Sequence, residues 1–176
     1  MGNVAKNKRP QMRQIGIKMK KKKIIQIFLL LLSIGIFILI FNFSNQDGEK
    51  SEGQSRTIAN EIVNIIEKVQ NTKFDNRKAK LNEVDHVIRK LAHFSIYTMA
   101  GIALMLFVST FNLKNLYKIL TCVLIGFIYA CSDELHQTFI PGRTAYFSDV
   151  LIDTSGVLVG SFTILYVITK YFERKK

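Results

Sequence analysis

Apolar residues in this chain fall into four long blocks separated by polar stretches, a pattern unlike the short-period scatter of a soluble helix or strand. The first block runs from Ile24 to Phe43, with Gln26, Ser33 and Asn42 as its only polar side chains and no charge. A spanning helix needs about 20 such residues, so this block is long enough to cross a bilayer. Three more follow, Leu91 to Leu113, Leu116 to Cys131 and Val150 to Phe172. The short Asn112 to Asn115 turn, which carries Lys114, makes the second and third spans an antiparallel hairpin.

Between the first and second blocks, Ile58, Ile62, Ile65, Ile66 and Val69 recur at helical spacing among polar residues. That spacing predicts an amphipathic helix from about Ser55 to Val69, packed against the spans or lying on the membrane surface. The predicted fold is all-α, a polytopic membrane bundle of about four transmembrane helices with an extracytoplasmic amphipathic helix. Its expected order is a basic tail over 1–23, the first span over 24–43, an outer loop over 44–90, a core of three spans over 91–172 and a second basic tail over 173–176.

Charge orients this arrangement. The formal net charge is +12, but the excess sits at the chain ends. Lys6, Lys8, Arg9, Arg13, Lys18 and Lys20 to Lys23 precede the first block without an acid, and Lys170, Arg174, Lys175 and Lys176 follow the last against Glu173. Basic flanks of this kind hold span ends in the cytoplasm, and they argue against a nucleic-acid partner, which would need a basic folded surface. With four spans both termini are expected in the cytoplasm, together with Lys114 and Lys118. The segment from Ser44 to Lys90, in which eight acids and nine bases nearly cancel, then faces outward. The first block is too long for a signal-peptide core and lacks a small-residue cleavage site, so an uncleaved anchor is expected. Cys122 and Cys131 fall in an apolar span, where thiols behave as small hydrophobes and indicate neither a disulfide nor a redox pair.

Candidate chemistry gathers at the outer ends of the spans. Counting about 20 residues from each cytoplasmic end brings Arg89, Lys90 and His93, then Asp133, Glu134, His136 and Gln137, then Asp149 and Asp153 to one depth. Ionisable groups at membrane depth are costly unless paired or wetted, so they are expected to face one another inside the bundle. Arg89, His93 and Tyr97 share a helix face, as do Asp149 and Asp153, which continue into Gly156 and Gly160. The latter run is a stripe of small residues on which helices approach closely. Pro141 and Gly142 supply a tight turn that returns Arg143 toward the cluster.

Arg89, Lys90 and Arg143 suit a phosphate or pyrophosphate headgroup, because guanidinium donors match phosphate oxygens in pairs. Gln137, Asp149 and Asp153 complete the candidate ligand-binding set, while His93 or His136, partnered by Asp133 or Glu134, are the catalytic candidates for acid or base work. A metal is not expected: there is no HExxH spacing, and Glu134 and His136 lie on different helix faces. No cofactor is expected either. Three readings follow from these residues: a pocket for an amphiphilic, phosphate-bearing ligand; a scaffold whose charges only lock the bundle; and a proton-coupled carrier.

The run Arg89-Lys90-Leu-Ala-His93-Phe94 with Tyr97 and Gly101, then Asp133-Glu134-Leu-His136-Gln137 through Pro141-Gly142-Arg143, then Ser148-Asp149-Val and Asp153 with Gly156 and Gly160, resembles the VanZ-like family. Phe43-Ser44-Asn45-Gln46 with Ser51 and Ser55 is similar to that family's outer-loop serine pattern. The resemblance extends from the first span to the last. It implies a protein of the bacterial cytoplasmic membrane linked to the cell envelope, in a family whose founding member confers low-level teicoplanin resistance without remodelling the cell-wall precursor. No established catalytic activity comes with it. Asp153 stands where the family often has Asn, which implies that a negative charge there is not obligatory.

Overall fold

The computed structural model describes residues 2–46 and 48–174, with side chains described for Ile17 to Gln46, Gly53 and Ser55 onward. The basic side chains from Lys6 to Arg13 and the last two lysines lie outside that description. Five helices follow one another: α1 (Gly2–Ser44), α2 (Gly48–Gln70), α3 (Arg77–Val108), α4 (Asn115–Gln137) and α5 (Phe147–Glu173). Four of them contain stretches long and apolar enough to cross a membrane: Ile17–Ser44, Arg77–Val108, Asn115–Gln137 and Phe147–Glu173. The architecture is the expected all-α polytopic bundle, and the chain is a multi-pass membrane protein by this construction.

Its outward surface carries that reading further. Phe28, Leu31, Leu116, Leu124, Ile128, Phe162 and Tyr166 are each more than half exposed. A patch of that extent would aggregate in water but needs no cover in lipid. Inward, α1 presents one stripe, Ser33, Ile40 and Ser44, all nearly fully buried.

Contacts at each level set the order of ends. Gln26 of α1 donates to Thr110 beyond α3 at 3.1 Å, whereas Gln137 at the end of α4 donates to Ser44 at 2.7 Å. Lys90 near the start of α3 meets Asp149 in the first turn of α5. One end of the bundle therefore gathers Ser44, Lys90, Gln137 and Asp149, and the opposite end gathers Gln26, Thr110, Lys118 and Lys170. Two apolar clusters fill the interior between them, one around Tyr97, Ala130 and Val157 and the other around Met105, Cys122 and Leu165.

The closest pair is α3 with α5, and the small-residue stripe is the reason. A Cβ at Gly156 would stand 2.6 Å from the Phe94 carbonyl oxygen, and one at Gly160 would collide with the Thr98 carbonyl. Gly101 is their counterpart on α3, facing the backbone of Val157. Backbones this near leave no room for any side chain, so α5 seats Asp149 and Asp153 directly against the α3 face that carries Lys90 and His93.

Helix α3 begins at Arg77, well before the apolar block at Leu91, so the segment from Arg77 to Lys90 that the polar pattern assigns to a loop is helical. At about 1.5 Å per residue this helix is close to 50 Å long, and its first turns project beyond a hydrocarbon core of about 30 Å. Asn76 caps it by accepting from the Ala79 amide at 3.1 Å. The amphipathic helix α2 lies against this projection. Its buried contacts are Ala59 and Val63 on Leu81, while Ile58, Ile65 and Val69 stay exposed. Ala59 and Val63 thus make the buried contacts, with Ile62 and Ile66 partly buried beside them. Asn71 ends α2 in the left-handed conformation (φ 49°), and Arg77 reaches back to Asn64 at 2.7 Å and Glu67 at 3.4 Å.

Candidate functional site

A cavity of about 400 Å³ opens at the Ser44 and Asp149 end of the bundle. Arg89, Lys90 and His93 of α3, Glu134 and Gln137 of α4, Arg143 and Tyr146 of the connecting turn, and Asp149 and Asp153 of α5 line it. Ile40, Ile58, Ile88, Ala92, Ile96 and Ile152 make up an apolar wall. The helical spacing behind this grouping is simple: Arg89, His93 and Tyr97 succeed one another along one face of α3, and Asp149 and Asp153 along one face of α5.

Most of the charges are paired. Lys90 Nζ lies 2.7 Å from Asp149, Arg89 lies 3.1 Å from Asp85, and His93 Nδ1 lies 3.7 Å from Asp153. Tyr97, fully buried, donates its hydroxyl to Asp133 at 3.4 Å, and Gln137 donates to the same carboxylate at 3.3 Å. Glu134 accepts from the Tyr146 amide at 3.0 Å and so holds the turn against α4.

That turn forms as its residues require. Arg143 N–H donates to the Ile140 carbonyl at 3.2 Å across Pro141 and Gly142, with Gly142 at φ 73°. Proline at the second position and a positive-φ glycine at the third define a type II turn. Arg143 then donates from Nε to the Gln46 carbonyl at 3.0 Å and from Nη2 to the Phe43 carbonyl at 3.2 Å. It satisfies carbonyls that the end of α1 leaves open. Burial lowers its basicity, Asp133 and Glu134 oppose that, and neighbouring Arg89 adds to it; the guanidinium remains charged at neutral pH.

One candidate stands apart. His136 lies on the far side of α4, its Nε2 3.3 Å from Asn45 Oδ1 and its ring 4.8 Å from that of Phe41. Two residues along a helix is more than half a turn, so His136 faces α1 while Glu134 faces the cavity. His136, one of the expected catalytic candidates, is thus placed against Asn45 and Phe41 and is not among the residues that line the cavity. Asp133 sits behind the cavity wall, with the Tyr97 hydroxyl and the Gln137 amide.

Sequence reasoning missed Asp85, which is 3 % exposed and is the partner of Arg89. Its signal was available, since an acid one turn before an arginine stabilises a helix that extends through both. The tip of α1 and the start of α2 are further contributors: Phe43, Gln46, Ser55 and Ile58 line the cavity. Several buried carboxylate oxygens have no hydrogen-bond partner among the described residues, namely Asp85 Oδ1, Asp133 Oδ1 and both of Asp153. His93, Asp133 and Asp153 each offer one ligand atom within 4.8 Å of the others, the set of described residues best placed to hold a metal ion.

Comparison with known proteins places this geometry in context. A family model described as VanZ/LLP1 matches residues 28–169, which reach into all four apolar helices and include every residue named at the cavity. No curated protein and no solved structure matches significantly.

Proposed function

The chain belongs to the VanZ/LLP1 family, and from that premise we propose that its cavity binds an amphiphile bearing a phosphate or pyrophosphate headgroup, such as a lipid-linked cell-wall precursor. The observation that carries this reading is the mixed lining of the cavity, cationic and apolar. Arg89, Lys90 and Arg143 line the same cavity as Ile88, Ala92, Ile96 and Ile152. Guanidinium groups hold phosphate oxygens in pairs, and apolar lining residues suit the start of an acyl or prenyl chain. Arg143 spends only two of its five donors on the α1 carbonyls. The bacterial cytoplasmic membrane is the proposed location, with both termini in the cytoplasm and the cavity on the outer side, as the basic flanks favour. Low-level teicoplanin resistance is the phenotype proposed for its expression, through capture of the precursor that the drug also engages.

Lipid extracted from the purified full-length protein and read by mass spectrometry tests the binding. Phosphate-bearing lipid is expected to be enriched over the bulk membrane in the wild type and to fall about tenfold or more in Arg143→Ala, since a charge-assisted bidentate contact contributes roughly 1.5–3 kcal/mol. Arg143→Lys, which retains charge but not the fork, is expected to lie between. If the wild type carries no phosphate lipid above the membrane average, the headgroup reading is wrong.

A scaffold role through α2 is favoured by one observation, the exposure of Ile65 and Val69. Removing the whole helix would not separate the two readings, because Ser55 and Ile58 line the cavity. Ile65→Asp with Val69→Asp does separate them. Lipid binding is expected to stay within about twofold of wild type, since surface changes away from packed features usually shift stability by less than about 0.5 kcal/mol. Loss of the resistance phenotype in this variant with binding intact would favour the scaffold.

A further inference from the structure

The buried side of the cavity poses a charge problem that the protein's own cations do not solve. Asp153 is fully buried and Asp133 is 4 % exposed. Three of their four carboxylate oxygens have no hydrogen-bond partner among the described residues. Lys90 is engaged with Asp149, Arg89 with Asp85, and Arg143 with the carbonyls of Phe43 and Gln46. His93, 3.7 Å from Asp153, is the remaining group that can offset them, and one imidazolium does not balance two buried carboxylates, an arrangement that is steeply unfavourable.

We propose that His93 Nδ1, Asp133 and Asp153 form a binding site for one divalent transition-metal ion, of the zinc or manganese class, at the floor of the cavity. The ligand atoms come from α3, α4 and α5 and lie within 4.8 Å of one another. His93 Nδ1 stands 3.7 Å from Asp153, too far for a hydrogen bond but near the separation of two ligands that share an ion. With bonds of about 2.0–2.2 Å, ligand atoms around one metal stand roughly 3–4 Å apart, so small side-chain rotations close the set. One divalent charge cancels both carboxylates at once.

Ligand chemistry selects the ion. Magnesium and calcium prefer all-oxygen shells, whereas an imidazole with two carboxylates suits zinc or manganese. Three protein ligands leave at least one coordination position open. His93 and Asp153 both line the cavity, so the open position faces into it. Tyr97 and Gln137, donating to Asp133 Oδ2, would orient that ligand and leave Oδ1 for the ion. The site is independent of the headgroup reading, because ion binding is measured with no lipid ligand added.

The experiment uses full-length protein in detergent, stripped with a chelator and titrated separately with Zn²⁺, Mn²⁺ and Mg²⁺. Bound metal is counted by mass spectrometry, and thermal unfolding is followed by circular dichroism. One Zn²⁺ or Mn²⁺ per chain is expected, raising the unfolding midpoint by about 5 °C or more at saturation. Asp153→Asn and His93→Gln are each expected to weaken the ion at least about tenfold, whereas Lys90→Ala keeps it. Asp153→Asn removes a buried carboxylate whose oxygens have no hydrogen-bond partner among the described residues, so without metal it is expected to be at least as stable as metal-free wild type; Asp133→Asn supplies a second variant should it fail to fold. A wild type that gains neither metal nor stability, or that takes Mg²⁺ in preference, overturns the assignment. Equal Zn²⁺ affinity in the wild type and in both Asp153→Asn and His93→Gln would overturn it as well, locating the ion elsewhere.

Discussion

Gly160→Val is expected to leave little folded protein, with a loss of about 3 kcal/mol or more. Overpacking in a tight core costs about 1–3 kcal/mol where neighbours can move, and here the neighbour is main chain. A Cβ at this position meets the Thr98 carbonyl and lies 3.0 Å from the Ile102 amide nitrogen. Neither atom can yield without moving α3 as a body. Moving it would also separate the pairs that this close approach creates, Lys90 with Asp149 at 2.7 Å and His93 with Asp153 at 3.7 Å. Gly35→Ala on α1 is the control, because a Cβ there meets nothing within 4 Å. The measurement is thermal unfolding with a thiol-reactive dye, for which Cys122, fully buried in the inner core, reports opening. Gly160→Val is expected to expose that thiol at a far lower temperature than wild type, and Gly35→Ala to leave it unchanged. Equal midpoints would mean that the helices do not approach as closely as described.

Reversing one charge at the mouth of the cavity is expected to have the next largest effect. Lys90→Glu sets two carboxylates where a 2.7 Å ion pair stood, with side chains about one quarter exposed. Removing one partner of a fully buried pair costs about 3–5 kcal/mol; partial exposure reduces this to roughly 1–3 kcal/mol, and like-charge repulsion adds to it. The exchanged double variant, Lys90→Glu with Asp149→Lys, is expected to recover at least half of the loss, because the geometry of the pair is symmetric in sign. Unfolding midpoints of the two single variants and the double variant form the cycle that isolates the interaction. If the double variant is no better than Lys90→Glu alone, the pair does not join α3 to α5.

The two effects are linked through one interface. Glycines set the distance between α3 and α5, and the distance sets which charges meet. A ligand held by Arg89, Lys90 and Arg143 would then sense the packing of Gly156 and Gly160 several turns away, because a rigid close-packed interface transmits a shift in position.

Some of this site could be read directly and some could not. Arg89, Lys90, His93, Asp133, Glu134, Asp149 and Asp153 were brought to one depth by counting residues from the span ends, and they do gather at one end of the bundle. Counting works there because an apolar helix crossing a layer of known thickness has its ends placed by length alone. Counting does not give rotation. His136 shares its depth with Glu134 yet faces α1, and on α2 Ala59 and Val63 make the buried contacts while Ile65 and Val69 stay exposed. The polar pattern places Asp85 within the outer loop over 44–90, although α3 carries its helix unbroken from Arg77.

What the linear order of residues determines by itself is the number, length and polarity of the spans, the small-residue stripe on α5, the turn at Pro141 and Gly142, and the family motif. Each of these is local: it depends on residues within a few turns of one another and on the solvent they meet. Only the tertiary structure decides that Lys90 takes Asp149, that Arg143 is bound to the end of α1, and that His93, Asp133 and Asp153 converge from three helices. Those outcomes depend on the rotation and spacing of helices, set by many side-chain contacts acting together, and no run of residues along the chain encodes such an angle on its own.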